Sequence, residues 1–197
     1  LTSCAVRPSS VAGRMRRAPR NPFHGALVMR WVIIVVGGLV ALVAIVALIG
    51  ALLPQSHVAS RARSYPHAPE RVFAAISDVR SYPRWRPGVR EVTLLAEQPL
   101  RWREDGTNGK VEFELVANDP PRRQVTRIAS ENLPFGGRWE YDVARDGEGA
   151  RLTITEHGDV YNPIFRFMAR FIFGYRKTME DYQAALDAYL AREPKAP

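Results

Sequence analysis

The chain has 197 residues, one cysteine and a formal net charge of +8. A single cysteine excludes an internal disulfide. Most of the charge excess lies at the start: residues 1–57 hold six arginines and no acid, whereas residues 58–197 hold 22 basic and 20 acidic side chains. A body so nearly balanced offers no phosphate-binding surface, which argues against nucleic acid as a partner.

Residues 1–30 read as a disordered basic tail, because an Arg-, Pro- and Ser-rich stretch buries too little apolar surface to order itself. Leu1 opens the chain, and Met15 and Met29 are candidate starts within it. Cys4 has no apolar segment before it, so Leu-Thr-Ser-Cys does not serve as a lipoprotein box. Residues 31–53 carry no charge. As a helix they extend about 34 Å at ~1.5 Å per residue, enough to cross a ~30 Å hydrocarbon core. A secretory signal has an apolar core of only ~7–15 residues, and the following Pro-Gln-Ser-His-Val-Ala-Ser is a weak cleavage site. A retained single-pass anchor is the preferred reading. Six arginines ahead of the span and no acids place the N-terminus in the cytoplasm and the remaining domain on the outer face.

Residues 54–58 read as a short linker, 59–191 as one domain and 192–197 as a tail. A first strand is expected over 59–65. Pro69 suits a helix start, and Val72, Phe73 and Ile76 share one face of the helix that follows. Asp78 to Trp85 reads as a second short helix broken by Pro83. Strands are expected over 89–97, 100–104, 110–117, 123–130, 137–145 and 150–158. Three of them alternate cleanly: Val111, Phe113 and Leu115; Trp139, Tyr141 and Val143; Leu152 and Ile154. Such alternation marks an antiparallel sheet packed on one side and wet on the other. Asp146-Gly147-Glu148-Gly149 is a hairpin turn. Asn162 and Pro163 then open one long helix, whose apolar stripe runs from Ile164 through Met168, Phe171, Tyr175, Met179, Tyr182 and Leu186 to Tyr189. The fold class is therefore α+β. One curved antiparallel sheet wraps a single long C-terminal helix, because nothing else is available to cover its inner face.

Ala68-Pro69-Glu70-Arg71-Val72-Phe73-Ala74-Ala75-Ile76-Ser77-Asp78, then Tyr82-Pro83-Arg84-Trp85 and Pro87-Gly88-Val89, resemble the START-like superfamily with the helix-grip fold. This is the SRPBCC superfamily, which includes the polyketide cyclase/dehydrase and lipid-transport group. Arg151-Leu152-Thr153-Ile154-Thr155-Glu156 before the final helix is similar as well. The resemblance covers residues 58–190 and implies a cavity between sheet and helix. The superfamily includes cyclases, hydroxylase ligand-binding domains, hormone receptors and stress-associated binders, so it implies fold more than activity.

No catalytic constellation stands out. His57 and His67 flank the first expected strand. His157 and Glu156 are adjacent in a strand, so they face opposite ways and form no dyad. No Cys pair and no His pair has ligand spacing, so neither a metal nor a cofactor is expected. Glu156 is in phase with Leu152 and Ile154 and faces the concave side. There it orients a polar ligand group or exchanges a proton; the preferred, simpler reading leaves it at the strand end, solvated or paired with an arginine. The inward aromatics Trp85, Phe113, Trp139 and Tyr141, with Phe135, Phe165, Met168, Phe171, Ile172 and Tyr175, are more than a dry core of this size readily accommodates, and are the candidate lining of an apolar pocket. The loop Asn132 to Gly137 is a candidate gate. Arg166, Arg170 and Arg176 interleave the helix aromatics, either to meet anionic headgroups or as a solvated face. The expected partner is a hydrophobic small molecule or lipid, bound without catalysis. A cyclase or dehydratase, or an accessory interaction domain with a filled cavity, is the alternative. Nothing in the sequence identifies a protein partner.

Overall fold

The computed structural model describes residues 22–192, except the side chains of residues 22–27 and Phe173. The tail expected over residues 1–30 lies outside the described residues as far as residue 21, and residues 193–197 lie outside them too. Packing divides the chain into two units, one ending at Leu42 and one starting at Val43. The first helix, α1, runs from Pro22 to Leu52. It begins earlier than the expected boundary at residue 31. A proline in the first turn and the helix formers Ala26, Leu27 and Met29 extend it backwards. Its 25 residues from Val28 to Leu52 are long and apolar enough to cross a membrane.

Only Leu53, Pro54 and Gln55 separate α1 from β1 (Ser56–Tyr65). The strand therefore starts three residues before its expected position, and His57 belongs to it. Helix α2 (Pro69–Ser77) follows, with Pro69 in its first turn and Val72, Phe73 and Ile76 buried. A 3₁₀ turn (Val79–Ser81) leads into α3 (Tyr82–Trp85). Pro83 does not break this helix but sits in its first turn, where the missing N–H costs nothing.

Six strands come next: β2 (Val89–Glu97), β3 (Leu100–Gly106), β4 (Gly109–Asp119), β5 (Arg123–Ile128), β6 (Phe135–Asp146) and β7 (Gly149–Val160). With β1 they make one seven-stranded antiparallel sheet in the order β1-β7-β6-β5-β4-β3-β2. Register shifts in β2 and β4 mark bulges, which bend a sheet and increase its twist.

The outer face is a lattice of cross-strand ion pairs. Arg103 meets Glu112 at 3.1 Å, Arg127 meets Glu114 at 3.2 Å and Arg123 meets Glu140 at 2.7 Å. His157 points the same way, 3.1 Å from Glu140. The inner face carries Trp102, Tyr141, Val143, Leu152 and Ile154, all buried.

The C-terminal part differs from one continuous helix. Helix α4 (Pro163–Met168) passes into a π-helical turn (Ala169–Phe173), ends at Gly174, and restarts as α5 (Lys177–Arg192). Asn162 caps α4 as expected, its Oδ1 accepting from the backbone of Ile164 and Phe165. Gly174 has φ 71°. This is a left-handed conformation that glycine adopts freely and that stops a helix. The two halves of the stripe therefore lose phase. On α5, Met179, Tyr182, Leu186 and Leu190 are buried against the sheet. Buried Gln183 donates to the carbonyls of Arg61 and Leu152, at 3.1 and 3.2 Å. Arg61–Glu180 and Arg63–Asp187, both 2.6 Å, hold α5 along β1. Before Gly174 no residue of α4 is buried.

Candidate functional site

A cavity of about 300 Å³ opens between the inner face of the sheet and the start of α5. His57 comes from β1, Phe113 from β4, Thr126 from β5, Phe135, Trp139 and Tyr141 from β6, Glu156 from β7, and Thr178 from α5. A smaller lobe of about 100 Å³ shares Arg86, Asn108, Val111, Phe113 and Trp139 with it and continues to Glu104 and Tyr182. The wall is aromatic because the period-2 alternation of β4 and β6 turns Phe113, Trp139 and Tyr141 to the same face.

Two titratable groups meet at one side of the cavity. In the β1–β7 register His57 pairs with Gly158, and Ala59 with Glu156. His57 and Glu156 are thus diagonal neighbours on one face. The His57 Nε2 lies 3.5 Å from Glu156 Oε1. It is buried and makes no hydrogen bond of normal geometry. On its other side the imidazole stacks on Tyr175, with ring centroids 3.8 Å apart. Burial depresses the His57 pKa, against a smaller opposing pull from Asp159. Burial also pushes the Glu156 carboxyl up to about 7, against the lowering effect of its hydrogen bond with Trp139. Each group is driven toward its neutral form, so near neutral pH the pair presents an acid beside a base.

Gly158 makes room for this pair. A Cβ there would lie 2.3 Å from His57 Cε1, 2.6 Å from Nε2 and 3.0 Å from Glu156 Oε1. Gly158→Ala is therefore expected to push the imidazole off its seat, at about 1–3 kcal/mol of stability. An NMR titration should then find the His57 pKa moved up toward its ordinary value. An unmoved titration would mean that the ring is not wedged against this glycine.

Arg86, immediately after α3, is the second polar element. Its guanidinium lies 5.0 Å from the Tyr82 ring centroid, 5.5 Å from Tyr182 and 5.6 Å from Phe113. It pairs with Glu104, whose Oε1 also accepts from Trp102 Nε1 at 2.9 Å. The Tyr182 hydroxyl, buried beside them, makes no hydrogen bond of normal geometry.

Of the aromatic and apolar candidates read from sequence, Phe113, Phe135, Trp139 and Tyr141 line the cavity, and so does Glu156. Glu156 is paired with no arginine and is only 22 % exposed, so the simpler reading of it gives way to the inward one. Trp85 belongs to the packed core, edge-on to Tyr82 and Tyr182 and stacked on Tyr189. Tyr175 backs His57 from outside the lining. Phe165, Phe171 and Ile172 are 50, 60 and 59 % exposed, and Met168 does not reach the cavity, because the break at Gly174 turns this stretch away from the sheet. Gly136 and Gly137 belong to β6 rather than to a loop, and Tyr161 N–H donates to Pro134 O at 2.9 Å, so the expected gate is shorter and tied down. His57 and Arg86 carried no pattern that singled them out. Among the described residues no three His, Cys, Asp or Glu side chains come together as a metal site.

A curved antiparallel sheet closed by a C-terminal helix over a partly polar cavity defines a START-like ligand-binding domain. The profile described as "Polyketide cyclase / dehydrase and lipid transport" matches residues 56–190, from the start of β1 into the last turn of α5, and the chain belongs to that family. A conserved protein from Geobacillus kaustophilus superimposes with a TM-score of 0.60 at 16 % identity, covering 69 % of this chain and 96 % of its own. A START superfamily protein from Mycobacterium smegmatis gives 0.55 at 18 % identity, covering 69 % and 98 %. Norcoclaurine synthase from Thalictrum flavum gives 0.56 at 7 % identity, covering 69 % and 94 %. At such identities the likeness speaks for fold. No curated protein matches the chain in sequence.

Proposed function

We propose that this protein is a membrane-anchored binder of a small hydrophobic molecule with one polar, hydrogen-bonding end. The observation that carries the reading is the cavity: an aromatic wall with one neutral-leaning His–Glu pair at its side. Apolar walls with a few placed polar groups are how small-molecule sites achieve affinity and orientation together. About 300 Å³ is the small end of the ~300–1,000 Å³ range for such sites. That favours a compact ring system or a single short chain over a two-chain lipid. His57 and Glu156 offer both a donor and an acceptor, which suits a hydroxyl, a phenol or an un-ionised acid. The apolar helix α1 supplies the anchor, and the arginine-rich flank argues for a cytoplasmic N-terminus and an outer-face domain.

A second reading has one observation in its favour. A carboxyl titrating near 7 is well placed for general acid–base work, as a cyclase or dehydratase needs. Native mass spectrometry of the full chain, extracted in mild detergent, tests the first reading. A co-purifying small apolar molecule is expected, lost on Trp139→Asp and retained on Glu156→Gln. If the extracted chain carries nothing and binds no hydrophobic probe, the binding reading fails. If Glu156→Gln retains the parent molecule but abolishes its conversion, the enzyme reading replaces it.

A further inference from the structure

The exposed apolar surface of the domain is concentrated at one end, and the chain itself shows which end. Only three residues separate α1 from β1, so the start of β1 lies beside the end of the apolar span. Ser56 pairs with Asp159, Phe135 with Val160, and Val160 N–H donates to Gln55 O at 2.9 Å. The end of β7 and the start of β6 therefore share that end, and α4 starts from it. Arg166 clamps α4 there. Its guanidinium donates to the carbonyls of Val160, Tyr161 and Leu53, at 2.7, 3.0 and 3.2 Å. Arg166 is thus neither a headgroup ligand nor part of a solvated face.

Beyond the clamp, Phe165, Phe171 and Ile172 are all at least half exposed, with Arg170 and Arg176 exposed alongside them. Exposed large apolar side chains interleaved with cations are the composition of a segment lying in a bilayer interface. The same end of the sheet carries the cavity: His57 at the start of β1, Phe135 at the start of β6, and Asp159 and Val160 at the end of β7 all line it.

We propose that the α4–π segment, Pro163–Phe173, is a second membrane contact that rests on the bilayer crossed by α1. Phe165, Phe171 and Ile172 enter the interface, and Arg170 and Arg176 meet anionic headgroups. The contact sets the cavity against the lipid phase, so a hydrophobic ligand passes between them without crossing water. A bilayer is favoured over a protein partner because the clamp and the three-residue tether hold the patch beside the end of the span. Such tethering makes docking intramolecular, so weak interfacial affinity suffices.

The inference rests on α1 being a retained anchor, and the test separates the two. Cys4→Ser removes the native thiol from the full chain. Single cysteines at Phe171→Cys, Leu42→Cys and Glu148→Cys then carry an environment-sensitive fluorophore in liposomes containing phosphatidylglycerol. Leu42 lies within the span, and Glu148 lies in the β6–β7 turn at the far end of the sheet. The expected result is quenching of positions 42 and 171 by acyl-brominated lipid, with loss of iodide quenching at 171, and iodide quenching alone at 148. If 42 is lipid-quenched while 171 behaves like 148, the docking proposal is overturned and the anchor stands. If 42 itself is open to iodide, the anchor fails and the proposal goes with it. Arg170→Glu with Arg176→Glu should restore iodide quenching at 171; no change would overturn the headgroup role.

Discussion

Arg86→Ala is expected to be the most damaging single substitution in the domain, at about 3–5 kcal/mol, the usual cost of removing one partner of a buried ion pair. The Arg86 and Glu104 side chains are 16 and 8 % exposed. Without the guanidinium, Glu104 keeps a charge in an aromatic enclosure with only the Trp102 indole as donor. Three aromatic rings also lose the cation beside them. Against a typical total stability of about 5–15 kcal/mol, such a loss leaves little folded protein at moderate denaturant. The charge component can be separated. Arg86→Met with Glu104→Gln removes both charges but keeps an amide oxygen for Trp102, and should recover most of the loss. Arg86→Lys keeps the charge but not the planar fork, and should fall between. Denaturant titrations of the detergent-solubilised chain, followed by tryptophan fluorescence, rank the four proteins. If the double variant is no better than Arg86→Ala, then lost packing rather than the orphaned carboxylate dominates.

The sheet was the most legible part of the chain, because its core face alternates with period 2 over residues 111–115, 139–143 and 152–156. Phe113, Trp139, Tyr141 and Glu156 point inward as their phase requires. The features that alternation cannot express were harder to read. Ser56-His57-Val58 has no strong strand pattern, so this first part of β1 is recognisable only from its pairing with β7, and His57 enters the site through that register. Arg86 lies in a connection, where no periodicity tells a buried arginine from a solvated one. The C-terminal stripe misled for the opposite reason. Its 3- and 4-residue spacings continue straight through Gly174, yet a helix stops where one residue takes φ 71°. Phe171 keeps the spacing of core residues and loses the direction, and Phe165 and Ile172 beside the stripe are exposed with it. Their exposure also reduces the surplus of aromatics that argued for a large cavity, which is consistent with its modest volume.

Glu156→Gln is expected to stabilise the protein, and to do so only above a particular pH. A carboxyl raised from 4.5 to about 7 binds its proton more tightly in the folded chain than in the unfolded one. Its effect on stability is therefore most favourable below 4.5 and is lost as pH rises through 7. At ~1.4 kcal/mol per unit, the cost of the buried charge at pH 8 is about 3 kcal/mol. Glutamine does not titrate, so the variant should match the parent near pH 4.5 and exceed it by about that amount at pH 8. His57 works in the other direction. Its folded pKa is below the ordinary 6.5, so the folded state resists protonation and stability falls as pH drops below that value. In the parent the two slopes oppose each other just below 6.5; in the variant the Glu156 slope is gone and the histidine slope is unopposed by it. Unfolding free energies of both proteins at pH 5 and pH 8 decide the matter, and a pH-independent difference would show that Glu156 is not a buried titrating group. A gain at pH 8 would mean that the native chain keeps a side chain that weakens its own fold. Sites that hold ligands or move protons commonly carry such a cost, and a residue serving only the core would not.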